Sequence, residues 1–131
     1  MPIQSYKELR VWQKAMDLAE AAYRATEKFP PHEAYGMTSQ IRRSAVSIAA
    51  NIAEGYGRGS SGAYLMFLRT ARGSLLEFET HVAIECRIGL LSDAASKPLN
   101  ENADSIGKML SALIRSINRL AAGPANPESN G

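Results

Sequence analysis

The sequence predicts an all-α, up-down-up-down antiparallel four-helix bundle. Apolar residues recur at alternating three- and four-residue steps in four separate stretches. No stretch alternates with the period of two that a half-buried strand needs, and segments bearing proline or glycine separate the stretches. At 131 residues, 45% hydrophobic and 21% charged, the chain suits one globular domain with its own core.

The first helix is expected over about 6–29. Ser5-Tyr6-Lys7-Glu8 matches the S-x-x-E capping box, in which serine and glutamate satisfy the first free amides of a helix. Leu9, Trp12, Met16, Ala19 and Tyr23 form its apolar stripe, and Phe29-Pro30-Pro31 ends it because proline cannot supply the next amide. The second helix is expected over about 38–54, with Ile41, Ala45, Ile48 and Ile52 inward and Gly55 as a left-handed cap. The third spans about 61–89 on Tyr64, Leu68, Ala71, Leu75, Phe78 and Val82, with Ser60 or Ser61 able to cap it. The fourth spans about 99–121 on Ala103, Ile106, Leu110, Leu113, Ile117 and Leu120. Pro98 leaves its start open, as a short turn from Ser92 and then a break. The domain is thus residues 1–122, and 123–131, rich in glycine, proline and asparagine, reads as a disordered tail.

Gly57-Arg58-Gly59-Ser60-Ser61-Gly62 is a literal G-x-G-x-x-G. A dinucleotide fingerprint needs a strand to deliver the chain into the glycine turn, and here a helix precedes it. No Lys-Ser/Thr pair completes a P-loop, so the segment reads as an interhelical loop. Glu77, His81 and Glu85 stand at i, i+4 and i+8, but no second helix repeats the Glu-x-x-His of a bundle metal site. Cys86 has no identifiable base beside it and reads as a core residue. No catalytic set assembles, so neither an enzyme nor a metal or other cofactor is expected.

The single cysteine favours a reducing compartment. Met1-Pro2-Ile3-Gln4 does not open a signal peptide, and no apolar run is long enough for a membrane span. The expectation is a cytoplasmic protein with no membrane contact.

The formal charge is +2, and its excess lies in residues 36–60, where Arg42, Arg43 and Arg58 face only Glu54. Arg42 and Arg43 on the second helix could share a face with Arg69 and Arg72 on the third, with Arg58 in the loop between. These five are the candidate nucleic-acid contacts; the competing reading pairs them within the chain to Glu54, Glu77 or Glu79. Asn51, alone among small and apolar neighbours, reads as an interior hydrogen-bonding group that fixes register. The uncharged run Ser44–Ala53, with Leu65, Met66 and Phe67, offers more apolar surface than one interior seam uses, which points to a ring of identical subunits.

The segments YGMTSQIRRSAVSIAANIAEGYGR, ELRVWQKAMDLA and FLRTARGSLLEFETH resemble the four-helix-bundle proteins encoded in intervening sequences of bacterial 23S ribosomal RNA genes. The accessory variability proteins of diversity-generating retroelements belong to the same group. The resemblance runs from about Tyr6 to Leu120. It implies an up-down bundle assembled as a homopentamer and, for the retroelement members, binding of RNA and a reverse transcriptase on basic surfaces. Arg42, Arg43, Arg69 and Arg72 fall in the matching segments. Two functional readings follow: an oligomeric module that binds structured RNA, and a protein–protein scaffold without nucleic-acid affinity.

Overall fold

The structure, a computed structural model, describes residues 5–122; the tail expected over 123–131 lies outside the described residues. Four helices, α1 (Arg10–Ala25), α2 (Met37–Gly57), α3 (Ser61–Arg87) and α4 (Asp93–Ala122), form an antiparallel bundle. Each packs on its sequence neighbour and α4 closes back on α1. Among the described residues there is no strand. The core takes Leu18 and Ala22 from α1 and Ile41, Ile48 and Ile52 from α2. Leu68, Phe78 and Val82 of α3 join Ile106 and Leu110 of α4, so the expected stripes of α2, α3 and α4 largely face inward. The stripe expected for the first helix is offset: α1 buries Val11, Ala15, Leu18 and Ala22, while Met16 and Tyr23 are exposed and Trp12 and Ala19 are half-buried at the edge of the seam.

The ends of the helices depart from the sequence expectation in instructive ways. Ser5 caps a single 3₁₀ turn, Tyr6–Glu8, by accepting the Lys7 amide at 3.1 Å, and α1 begins only at Arg10. At its other end α1 stops at Ala25, well before the prolines, where the buried Thr26 hydroxyl donates to the Ala22 carbonyl at 2.9 Å. Gly55 is not a cap. It lies inside α2, buried, and a Cβ there would stand 2.7 Å from Phe67 Cβ, so its missing side chain lets α3 approach. The left-handed residue is Gly59, with φ 80°, followed by Ser60, whose hydroxyl accepts the Ala63 amide at 3.3 Å to cap α3.

Pro98 does not break α4, which runs from Asp93 straight through it. Ser92 caps the helix by accepting the Ala95 amide at 3.1 Å. Proline in the second turn forfeits one bond, to the carbonyl of Ala94, which is exposed and can be solvated.

Candidate nucleic-acid interface

The register between helices fixes which side chains share an end of the bundle. Ser47 and Ser74 share a hydrogen bond of 2.8 Å across α2 and α3, and Leu75 meets Gly107 of α4. Trp12 and Met16 of α1 lie along Val46, Ala50 and Ala53 of α2. These contacts mark a midplane. Toward the α2–α3 turn the described chain carries Lys7, Arg10, Lys14, Arg58, Arg69, Arg72, Arg115 and Arg119 against Glu8, Asp17 and Glu54. The other half carries Arg24, Lys28, Arg42, Arg43, Arg87 and Lys97 against Glu20, Glu27, Glu33, Glu77, Glu79, Glu85, Asp93, Glu101 and Asp104, and Lys108 lies at the midplane beside Gly107. The bundle therefore has a basic end and an acid-rich end.

That division separates the five candidate arginines. Arg42 is committed inside the chain. Its Nε donates to Thr26 Oγ1 at 2.8 Å and its Nη2 to the Tyr23 carbonyl at 3.3 Å, with the guanidinium 4.4 Å from the Tyr23 ring. The tether is the C-terminal turn of α1, where free carbonyls attract a cation, and not one of the glutamates expected from sequence. Arg43 is exposed in a cleft of about 480 Å³ between α2 and α3, which it shares with Gln40, Ser44 and Glu77. It forms no ion pair with Glu77.

Arg58 stands at the basic end, paired with Glu54 at 2.6 Å and 5.0 Å from the Phe67 ring centre. Both partners are half exposed, so water competes for the pair and its worth is small. Arg72 opens into a groove of about 460 Å³ between α3 and α4, floored by Leu75 and Gly107. Arg43 and Arg72 thus face different grooves on either side of α3, and the shared face expected from sequence does not form.

The structure instead brings Arg72 together with Lys108 and Arg115, two cations that sequence reasoning missed. Asp104 and Glu79 lie at the acid-rich end of the same groove, where burial, and then the Asp104 charge, pushes the Glu79 carboxyl above its ordinary range. Because α3 and α4 are antiparallel, one further turn along each takes Arg72 to Arg69 and Arg115 to Arg119, both toward the same end. None of these four arginines forms an ion pair among the described residues. Beside them, Tyr56, Ser60, Tyr64 and Ile117 line a hollow of about 250 Å³. Tyr56 and Tyr64 meet there edge to face at 6.0 Å.

The remaining polar candidates are local. Asn51 does not bridge helices: its Nδ2 donates to the Ser47 carbonyl at 2.8 Å and to Ser47 Oγ at 3.0 Å, inside α2. The tie between helices is the Ser47–Ser74 pair. Glu77 is exposed and lies 3.4 Å from His81 Nε2. Among the described residues no group of histidine, cysteine and carboxylate side chains is arranged to hold a metal, and no helix is long and apolar enough to cross a membrane.

A sequence profile described as 23S rRNA-intervening sequence protein matches residues 7–112, most of the described chain. The chain belongs to this family. The family match holds Arg42, Arg43, Arg58, Arg69, Arg72 and Lys108, while Arg115 and Arg119 fall beyond it. The fold is similar to the crystal structure of a protein of unknown function from the S23 ribosomal protein family of Bacteroides thetaiotaomicron. The two share 24% identity at a TM-score of 0.72, over 79% of this chain and 97% of that one. No curated protein matches the sequence.

Proposed function

We propose that this member of the 23S rRNA-intervening sequence protein family is a non-enzymatic, homo-oligomeric module of the cytoplasm that binds structured RNA through the basic end of its bundle. The observation that carries the reading is the separation of charge along the bundle axis, with Arg69, Arg72, Arg115 and Arg119, none of them ion-paired among the described residues, in one half of the bundle. Unpaired arginines on rigid helices suit phosphate, since the guanidinium fork matches its oxygens and needs little ordering. The tyrosine-lined hollow beside them gives an unstacked base a surface to rest on.

Self-assembly is supported by a second surface. The groove between α1 and α2, lined by Trp12, Met16, Val46, Ala50 and Ala53, is almost wholly apolar, and Met16 and Val46 are exposed in it. The assembly implied by the family resemblance is a pentamer, which would repeat the basic end five times around one axis.

Binding of a structured RNA hairpin, followed by fluorescence anisotropy across a salt series, tests the reading. Replacing Arg58, Arg69, Arg72 and Arg115 with alanine should lower affinity at least about tenfold at low salt. It should also flatten the log–log salt slope by about 0.7–0.9 for each phosphate that is no longer neutralised. Replacing Arg24, Lys28, Arg87 and Lys97 removes as much charge from the acid-rich end and should change neither. Equal losses from the two variants would overturn the assignment to one end. A wild-type protein that binds no RNA at low salt would leave the scaffold reading. For assembly, Val46→Glu should reduce the mass seen by light scattering to that of the monomer; a wild-type chain that is already monomeric would end that part.

A further inference from the structure

The acid-rich end contains a buried carboxyl group that RNA binding does not use. Glu85, in the last turn of α3, is 0% exposed. Neither of its carboxylate oxygens has a hydrogen-bond partner among the described residues. Thr38 Oγ1, in the first turn of α2 at the same end, is likewise buried without a partner.

The position of Glu85 in the chain makes this unusual. Helix α3 closes with Gly89 at φ 80°, the Leu90 amide donating to the Glu85 carbonyl at 2.9 Å and the Gly89 amide to the Cys86 carbonyl at 3.2 Å. In a closure of this kind the residue at the Glu85 position commonly makes an apolar contact with the residue after the glycine, here Leu90. A protonated carboxyl, though still polar, can be buried at that position at a far smaller cost than a charged one. A carboxylate without a donor is costly there, because nothing replaces the water it gives up.

Two further charges oppose ionisation. The free carbonyls at the end of α3 carry the negative pole of the helix. Glu33, in the connection between α1 and α2, lies close enough to repel a second carboxylate. Burial, and then Glu33, holds the Glu85 group up at about 7, from an ordinary 4.5.

The surrounding ionisable groups offer no counter-charge. On α2, Arg42 is turned to Thr26 and Tyr23, and Arg43 is exposed. On α1, Arg24 pairs with Glu20, and Glu27 and Lys28 beyond it are exposed. Asp93 and Lys97 on α4 are exposed, as is Arg87 on α3. His81 is engaged with Glu77, His32 stands beside Glu33 at 3.6 Å, and Cys86 is half-buried. Glu33 itself holds the start of α2: its Oε2 accepts the Met37 amide at 3.2 Å and its carbonyl accepts the Gly36 amide at 3.0 Å.

We propose that Glu85 is a protonation-controlled latch: neutral, it keeps the α1–α2 connection and the α3 cap closed over the acid-rich end, and ionised, it opens them. The direction follows from linkage. The folded group binds its proton more tightly than the unfolded one, so its stabilisation is complete below about pH 4.5 and is lost as pH rises through about 7. Opening relieves burial of the carboxylate and its repulsion by Glu33 together, and it releases the Glu33 cap on α2. This latch is independent of RNA binding, whose residues lie at the other end.

Amide hydrogen exchange of the full-length protein, corrected for intrinsic exchange and compared at about pH 5.5 and about pH 8, tests it. Protection at Gly36, Met37, Leu90 and Leu91 should fall at least about tenfold at the higher pH, while the middle of α2 around Ser47 is unchanged. Glu85→Gln keeps the shape without the charge and should abolish most of the fall. Glu33→Gln, which keeps an oxygen for the Met37 amide, should shrink it. An equal fall in Glu85→Gln would overturn the proposal, since another group would then be responsible; so would a flat wild-type response. Carbon NMR titration of the Glu85 carboxyl gives a check that needs no variant: a midpoint near 7 supports the latch and an ordinary midpoint near 4.5 overturns it.

Discussion

The two ends of this bundle treat charge in opposite ways. At the basic end, arginines stand on the outside of helices that come together closely around Gly55, and the chain turns from α2 to α3 within 58–60. At the acid-rich end the α1–α2 connection is longer, 26–36, and charged or polar groups are drawn into the structure: Arg42 into the end of α1, Glu85 into the core. The difference teaches where charge is free to act. An exposed arginine keeps its hydration until a phosphate replaces it, so it serves a partner without disturbing the fold. One tied into the chain by hydrogen bonds, as Arg42 is, is part of the fold, and changing it changes stability before it changes binding.

Three substitutions would break or sharpen this comparison, beginning with the largest effect. Gly55→Val at the basic end should cost about 3 kcal/mol, because the new side chain meets Phe67 and the Tyr64 carbonyl, and helices cannot part without opening the core. Thermal denaturation measures it, and an unchanged midpoint would show that α2 and α3 are not in such close contact. Arg42→Ala should cost about 1–2 kcal/mol by removing the donor to the Thr26 hydroxyl and the guanidinium from the Tyr23 carbonyl and ring, with RNA affinity unaltered. A loss of RNA affinity without a loss of stability would place Arg42 in the interface after all. Gly73→Ala, on the outer face of α3 near the midplane where a Cβ meets nothing, should stabilise by about 0.5–1 kcal/mol at neither end's expense. Urea denaturation resolves a shift of that size, and a destabilised variant would mean that this face is covered in the assembly.

The stripes of α2, α3 and α4 were legible from sequence because a 3.6-residue repeat needs only local spacing: Ile41, Ile48, Leu68, Phe78, Ile106 and Leu110 all lie in the core the pattern named. On α1 the large side chains Trp12, Met16 and Tyr23 suggested the wrong face, and the smaller Val11, Ala15, Leu18 and Ala22 fill the core. Helix ends were less so. The S-x-x-E signal at Ser5 capped a 3₁₀ turn, and Pro98, which left the start of the fourth helix open, lies inside it, because one lost bond in the second turn is offset by the Ser92 cap and the packing beyond. Of the candidate site, Arg58, Arg69 and Arg72 were found through the arginines themselves. Lys108 and Arg115 were missed, although their seven-residue spacing on one face of α4 was a readable signal.

Sequence alone determined that this chain is four amphipathic helices, and with the resemblance in its segments, which family it joins, since both depend on the order of residues along the chain. Only the tertiary structure decided which charges meet. Adjacent Arg42 and Arg43 point about a hundred degrees apart on a helix, and so one closes the end of α1 while the other faces a cleft. Arg72 and Arg115 are brought to one end by the antiparallel run of two long helices, a register set by core packing that local spacing does not encode.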